Sequence, residues 1–449
     1  MAHSAEQQSR DQLSAALENG QLEQVRQTIN QTLRPVEVAR LIESSPPHQR
    51  EALWRLLERS REGEVLQHLG DDIQIHFLRR MDTSELLDVT GAMDDDDIAD
   101  VLQQLPLAVV QEVLAAMDAQ TRERLERVLP YPEDTAGGLM TTDVVTVRQE
   151  ISVDTTLRYL RLHSTLPDLT DSLMVVSRQG DLLGILPLTR LLVSSPDALV
   201  RDLMLTDIEP IHADAADTEV AQMFEQLDLV SAAVVDDDGK LLGRITIDDV
   251  VDVIREDADH SLMSMAGLDE DEDTFAPTLK TTRRRALWLG INLLTALTAS
   301  AVIGLFAETI DKVVALAVLM PIVASMGGIA GNQTLTLIIR AMALGHIDRS
   351  NTRWLLNREL IVGTLNGLLW AAVVAAAAGW WFEDSMISLL IAAALVINLV
   401  VAALAGTLLP LGLKARGIDP ALAGGVLLTT ITDVVGFFSF LGLAALFYA

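Results

Sequence analysis

The sequence contains no cysteine, which excludes a disulfide framework and a thiolate-ligated metal site. It is also poor in positive charge, because 33 Lys and Arg residues stand against 63 Asp and Glu residues and the net charge is −30 at pH 7. Such a balance argues against a nucleic-acid partner and favours cationic partners.

The negative charge is unevenly distributed along the chain. Residues 281–449 contain 10 Lys and Arg and 8 Asp and Glu, which leaves a net charge of −32 on residues 1–280. The chain therefore divides into a strongly acidic soluble part and a nearly neutral apolar part.

The apolar part contains five segments near or above the roughly 20 apolar residues that cross a bilayer. They are residues 286–306, 313–341, 360–382, 387–412 and 421–448. Basic residues cluster before the first span, between spans 2 and 3, and between spans 4 and 5, whereas the other two connections are mainly acidic. Because basic residues accumulate in cytoplasmic loops, we expect the acidic part in the cytoplasm and the C-terminus outside.

The last span carries one carboxylate, Asp433, and no central Lys or Arg lies in any span. An ionisable group at this depth is a functional candidate, since its charge is costly in lipid. The structural alternative is an Asp433 paired with Asn366, Asn398 or a buried base. An intramembrane aspartyl protease needs two aspartates that share a proton, so we expect no enzyme.

The soluble part has two patterns. Residues 5–130 show apolar residues at helical spacing between prolines, which predicts a stack of short helices. From residue 139 short strand-like runs follow, and they occur twice: GLMTTDV at 138–144 is echoed by DLMLTDI at 202–208, and VVSRQGDLLG at 175–184 by VVDDDGKLLG at 234–243. The repeat predicts two βαββα units and resembles a tandem CBS pair, a regulatory fold that binds nucleotides or ions.

The whole chain resembles the MgtE family of magnesium channels. The resemblance is carried by MPIVASMGGIAGNQTLTLIIRAMALGHI at 320–347, TTITDVVGFF at 429–438 and MDDDDIADVLQQLP at 93–106. It implies a multidomain protein with an all-α superhelical N-terminal domain, an α/β tandem CBS pair and an α-helical membrane domain of five transmembrane helices. The expected parts are an N domain at 1–130, CBS units at 131–200 and 201–257, a linker or plug helix at 258–282 and a pore domain at 283–449.

The resemblance also implies a homodimer whose two copies of Asp433 meet at the pore axis. Because Mg²⁺ gives up its octahedral water shell reluctantly, one or two carboxylates with polar oxygens suit a pore that holds the hydrated ion. The further pore-lining candidates are Asn332, Gln333, Gly328, Gly331 and Gly425.

The small residues of span 2 predict close helix packing, a broken helix that exposes carbonyls, or both, and we expect both. Two positions depart from the family pattern. Ile329 stands where Asn is common, and Gly424-Gly425-Val426 replaces a Ser-Gly-Pro sequence before the last span.

A second group of carboxylates indicates a gate. Asp248, Asp252, Glu256 and Asp259 share one face of a helix, and Asp94, Asp95, Asp96 and Asp97 begin another helix. Their structural alternatives are a solvated acidic face and acids that complement a helix dipole. Our hypothesis is that Mg²⁺ bridges these surfaces when cytosolic Mg²⁺ is high, and that carboxylate repulsion opens the gate when it falls.

A nucleotide is a competing regulator. Thr246 and Asp249 resemble the ribose-contact pattern of CBS units, which implies a site for ATP or another adenine nucleotide in the second unit.

Together these features predict a Mg²⁺-selective channel in a bacterial inner membrane. It would take up Mg²⁺ down its electrochemical gradient and be closed by cytosolic Mg²⁺. The alternatives are a secondary transporter for Co²⁺ or Mn²⁺ and a membrane Mg²⁺ sensor without transport.

Overall fold

The structure, a computed structural model, describes residues 21–91, 93–162, 165–268, 274–276, 278–348 and 350–448. Residues 1–20 of the predicted N domain, and 269–273 and 277 of the predicted linker, lie outside the described residues. The chain forms two compact units. The first contains the described residues up to 258 together with 274–276, and the second contains 259–268 together with those from 278 onward.

The N-terminal part is a succession of short helices, as predicted. They are α1 (Leu22–Gln31), α2 (Pro35–Glu43), α3 (Pro47–Leu56), α4 (Arg59–Leu66), α5 (Asp71–Leu78), α6 (Thr83–Thr90), α7 (Asp95–Gln103), α8 (Leu107–Ala116) and α9 (Ala119–Val128). Pro35 and Pro47 occupy first helical positions, where no N–H partner is needed. Asp82 and Asp118 cap α6 and α9 by accepting backbone N–H hydrogen bonds.

The first CBS unit contains β1 (Thr146–Val147), α10 (Val153–Leu162), β2 (Ser172–Val176), β3 (Leu182–Pro187) and α11 (Leu188–Val193). Helix α12 (Val200–Leu203) leads to the second unit, with β4 (Ile211–His212), α13 (Asp217–Leu227), β5 (Ser231–Val235) and β6 (Leu241–Thr246). In each unit the first strand pairs parallel with the second, and the second pairs antiparallel with the third. This equivalence confirms the repeat.

The two CBS units exchange backbone hydrogen bonds reciprocally. Leu182 N–H donates to Gly239 at 3.0 Å, and Leu241 N–H donates to Gly180 at 3.1 Å. Because equivalent positions of the two copies make equivalent bonds, the pair has local two-fold symmetry.

Helix α14 (Ile247–Met265) follows β6 directly. It has no break at residue 258, where the sequence analysis began the linker. Its first part belongs to the soluble unit and its last part to the membrane unit. The carboxylate stripe therefore lies on one continuous helix.

The membrane unit contains five helices long and apolar enough to span a bilayer. They are α15 (Thr278–Gly304), α17 (Ala315–Ala343), α18 (Thr352–Phe382), α19 (Ser385–Lys414) and α20 (Pro420–Tyr448), with the short α16 (Ala307–Lys312) after the first. The five predicted spans are confirmed. Helix α18 begins eight residues before predicted span 3 and so includes Glu359.

The expected break in span 2 is wrong. Helix α17 continues through Pro321 and the glycines at 327, 328 and 331. Helix α20 likewise continues through Gly424 and Gly425. In a low-dielectric environment a continuous helix satisfies its own backbone groups, and the glycines allow neighbouring side chains to approach closely.

Candidate cation pathway and acidic regulatory site

Helices α17 and α20 pack through reciprocal glycine and leucine contacts. A Cβ at Gly331 would lie 2.9 Å from a methyl carbon of Leu428, and one at Gly424 would lie 3.1 Å from a methyl carbon of Leu335. Gly331, one of the predicted pore-lining residues, therefore contributes to the wall between these helices rather than to an open surface.

The other pore candidates lie on accessible parts of the same two helices. Asn332 and Gln333 are exposed, and a Cβ at Gly328 or Gly425 would meet no atom within 4 Å. Gly425, Thr429 and Asp433 follow one another at four-residue intervals on α20, and all three are partly exposed. We call these positions the polar face: Gly328, Asn332 and Gln333 of α17, and Gly425, Thr429 and Asp433 of α20.

Asp433 is half-buried and makes no hydrogen bond or ion pair with any described residue. Neither of the two asparagines that could pair with Asp433 forms a hydrogen bond with it. Asn398 donates to the Val323 carbonyl at 2.8 Å, and Asn366 is exposed. The carboxylate of Asp433 is thus available to a cation.

Glu359 is a second membrane carboxylate that the sequence analysis missed. Its side chain is buried, receives an ion-pair contact from Arg358 at 2.8 Å, and accepts a long hydrogen bond of 3.4 Å from the Thr334 hydroxyl. The apolar boundary of span 3 concealed it, because the helix begins before the apolar run does. Its partners indicate a structural role.

Three of the four aspartates at the start of α7 form an acidic cluster with the start of α14. The charges that act on Asp94 and Asp97 include Asp248, and those that act on Asp96 and Asp97 include Asp249. We call Asp94, Asp96, Asp97, Asp248, Asp249 and Asp252 the acidic cluster. Two of the predicted regulatory regions are therefore brought together.

Burial gives this cluster unusual titration behaviour. Desolvation, followed by repulsion from neighbouring carboxylates, raises the pKa of Asp97 to about 7 and that of Asp249 to about 6. The same causes raise the pKa of Asp94, and raise that of Asp96 well above its usual range. Within the described residues, Asp96 Oδ1 is buried without a hydrogen-bond partner. Such a site favours binding of a proton or a metal cation.

Asp95 differs from its neighbours. Its carboxylate accepts a 2.5 Å hydrogen bond from the Thr142 hydroxyl and lies 3.6 Å from Arg124 Nε. Its charge is therefore compensated by protein groups, so we assign it a structural role.

The predicted stripe continues along α14 beyond Asp248. Asp252 is 3.6 Å from Arg255, which is an exposed pair of little energetic weight. Glu256 and Asp259 are exposed, and Asp259 belongs to the membrane unit.

The two nucleotide candidates contact each other. The Thr246 hydroxyl donates to Asp249 Oδ2 at 3.0 Å and also contacts Asp248. Asp249 thus lies in the acidic cluster, and its assignment to a nucleotide stays a prediction.

One further set of possible metal ligands was not predicted. His212, Asp214 and Asp237 are exposed, and their ligand atoms lie within 4.8 Å of one another. His212 Nε2 is 3.6 Å from Asp237. Only the strand and hairpin pairing of the second CBS unit brings these positions together.

The last part of α14 contacts the spanning helices. His260 Nε2 lies 3.5 Å from Asp419 Oδ2, and Asp419 also accepts N–H bonds at the start of α20. Gly267 has φ +71°, and a Cβ there would overlap the Trp288 indole. This segment is therefore tightly placed against α15 and α20.

The chain matches three family models. They are MgtE, described as a divalent cation transporter, over residues 320–443; the MgtE intracellular N domain over 33–134; and the CBS domain over 136–196 and 200–256.

Two curated relatives and one solved structure are similar to it. The magnesium transporter MgtE of Thermus thermophilus is 30% identical over 439 residues, which cover 97% of each chain. The magnesium transporter MgtE of Bacillus subtilis is 26% identical over 431 residues, which cover 96% of this chain and 95% of the relative. A crystal structure of the cytosolic domain of the Mg²⁺ channel MgtE in complex with ATP is 31% identical, has a TM-score of 0.49, and covers 54% of this chain and 99% of the other.

Proposed function

Because this chain belongs to the MgtE family of divalent cation transporters, we propose that it is a Mg²⁺ channel that cytosolic Mg²⁺ closes. Uptake down the electrochemical gradient, an acidic domain in the cytoplasm and an outward C-terminus are parts of this proposal. The substrate follows from the relatives named as magnesium transporters.

The observation that carries the pore assignment is the half-buried Asp433, which has no partner among the described residues. The polar face adds Asn332, Gln333 and Thr429 and the open backbone at Gly328 and Gly425. Carboxylate and amide oxygens are suitable for a hydrated Mg²⁺. We propose that a homodimer places two such faces around one pathway, as the sequence resemblance implies.

The acidic cluster supports the gate assignment. The groups that would bind Mg²⁺ are all carboxylate oxygens, and Asp96 Oδ1 is a buried acceptor that has no hydrogen-bond partner among the described residues. Without a cation or protons, repulsion among these groups opposes the association of α7 with α14. Cation binding would therefore favour the associated state.

Helix α14 offers a route from the acidic cluster to the pore domain. Asp248 and Asp252 lie near its start, and His260 lies near its end, beside Asp419 of α20. A near-complete population shift needs a difference in ion-binding free energy of about 5.5 kcal/mol between closed and open states. Several moderately selective carboxylate sites can provide this together. ATP remains a proposed second regulator at Thr246 and Asp249.

The test is Mg²⁺ flux into proteoliposomes that contain the wild type or Asp433→Asn, with Mg²⁺ varied on the cytoplasmic side. The proposal expects flux that requires Asp433 and that cytoplasmic Mg²⁺ suppresses. Undiminished flux in Asp433→Asn would remove the pore assignment, and flux independent of cytoplasmic Mg²⁺ would remove the gate.

Two measurements distinguish the alternatives. A secondary transporter would couple Mg²⁺ flux to a gradient of a second ion or of protons. A sensor would bind Mg²⁺ but give no flux in either variant.

A further inference from the structure

Asn398 is a fully buried amide in the middle of the membrane unit. It lies on α19 and has 0% exposure. Its Nδ2 donates to the carbonyl oxygen of Val323, on α17, at 2.8 Å. This hydrogen bond joins two spanning helices, and the complete burial of Asn398 shields it from solvent.

Two glycines provide the space for this amide. A Cβ at Gly327 of α17 would lie 2.2 Å from Asn398 Nδ2, and a Cβ at Gly436 of α20 would lie 2.8 Å from the same atom. Contacts this short are not tolerated unless the amide moves. The side chain of Asn398 is therefore enclosed between the two helices that form the polar face.

The position of this contact relates it to the pore candidates. Gly436 is one helical turn from Asp433, and Gly327 precedes Gly328 of the polar face. Pro321 lies two residues before Val323 and has no N–H, so α17 lacks one of its own hydrogen bonds there. A fixed contact beside this point restricts bending of α17.

We propose that Asn398 is a positioning residue for the cation pathway. Its amide fixes α17 relative to α20, and thereby fixes the spacing between Asp433 and the polar oxygens of α17. Asn398 itself is buried away from the polar face, so it acts through these helices and does not bind the ion.

This proposal rests on the proposed Mg²⁺ transport and refines it. A hydrated Mg²⁺ requires near-octahedral geometry, whereas Ca²⁺ accepts more variable geometry, so a change in ligand spacing should alter discrimination between the two ions. The informative quantity is therefore the ratio of Mg²⁺ to Ca²⁺ flux, measured together with the Mg²⁺ concentration at half-maximal flux.

The first experiment compares the wild type, Asn398→Leu and Asn398→Ala in proteoliposomes. Leu retains most of the volume but has no donor, and Ala removes both. We expect the Mg²⁺ to Ca²⁺ flux ratio to fall by roughly three- to twentyfold in both variants, the range expected for loss of one interhelical hydrogen bond. Unchanged flux ratio and half-saturation in folded variants would overturn the proposal.

The second experiment uses the enclosed geometry. Gly327→Ala and Gly436→Ala should each reduce the flux ratio in the wild type, because the new methyl group displaces the amide. In an Asn398→Ala background Gly327→Ala should have little further effect, since the three nearest atoms to its Cβ all belong to Asn398, and Gly436→Ala should have a smaller effect than in the wild type, since Val323 Cγ1 at 3.3 Å remains. Fully additive effects would contradict the enclosure of the amide. Gly290→Ala, where a Cβ meets no atom within 4 Å, is the matched control.

A third measurement does not depend on transport or on complete folding of the Leu variant. Since the chain has no cysteine, spin labels can be placed specifically at Leu337→Cys of α17 and Leu427→Cys of α20, two exposed positions. Asn398→Ala should shift or broaden the distance between the labels, and an unchanged distribution would overturn the positioning role. Absence of flux in the wild type would instead refute the proposed function, and the label distances would still decide the role of Asn398.

Discussion

Lowering the cytoplasmic pH from 8 to 6 is expected to weaken the inhibition of transport by Mg²⁺. The carboxylates of the acidic cluster must lose their protons before they can bind a cation. Because the pKa of Asp97 is about 7 and that of Asp249 about 6 in the associated cluster, both groups become protonated over this range.

The size of the effect follows from these two pKa values. Competition with a proton at Asp97 reduces Mg²⁺ affinity by about tenfold between pH 8 and pH 6, and competition at Asp249 by about twofold. Asp97 and Asp249 together should therefore raise the Mg²⁺ concentration for half-inhibition by at least about twentyfold, and proton competition at Asp96, whose pKa burial raises well above its usual range, should add to this.

Without cytoplasmic Mg²⁺, lowering the pH has the opposite effect and favours the closed state. A carboxylate whose pKa is raised in the associated state stabilises that state when it is protonated, and this stabilisation disappears as the pH rises through the raised pKa. Without cytoplasmic Mg²⁺, association of α7 with α14 is therefore favoured at pH 6 and opposed at pH 8. Flux without inhibitor should be lower at pH 6.

The assay is Mg²⁺ flux into proteoliposomes at pH 6, 7 and 8, with the wild type and Asp97→Asn. The variant should lose about a tenfold part of the change in half-inhibition, because a proton no longer competes with Mg²⁺ at residue 97. His68, whose pKa burial lowers and whose neighbours include Asp252, is another titratable group near the acidic cluster. The control His68→Gln should keep the wild-type pH dependence.

A pH-independent half-inhibition in the wild type would refute this account. The same would follow if Asp97→Asn retained the full pH dependence, since Asp97 would then not be the titrating ligand.

Three further predictions concern individual contacts. Asp95→Ala should lower the free energy of unfolding by about 1–3 kcal/mol in denaturant titrations, because Arg124 loses its partner. The Mg²⁺ concentration for half-inhibition should stay unchanged, and a large loss of inhibition would make Asp95 a ligand. Gly267→Ala should raise the Mg²⁺ concentration needed for inhibition, because its methyl group would overlap Trp288 and displace the end of α14. If the variant is inhibited like the wild type, this contact has no part in gating. Glu359→Gln should reduce the stability of the detergent-solubilised protein by about 1 kcal/mol in thermal unfolding, because it removes the ion pair with the half-exposed Arg358. Loss of flux without loss of stability would indicate a role in transport instead.

The order of the domains, and the secondary structure of most of them, can be predicted from the amino-acid sequence alone. Apolar runs predict all five spans, since each helix must present about 20 apolar residues to lipid. The repeated motifs predict two equivalent βαββα units because each copy encodes the same local pattern. Asp433 was identifiable because a lone carboxylate in an apolar run is evident without any knowledge of its neighbours.

Which polar residues form hydrogen bonds or ion pairs depends on contacts between segments that are distant in the sequence. Asp95 could not be separated from its three neighbours in the sequence, because its partner Arg124 lies on a different helix. The glycines of span 2 suggested a broken helix, whereas Leu428 and Asn398 occupy the space beside them and the helix continues. Contacts between distant segments depend on how helices pack, and the local sequence pattern contains no information about that packing.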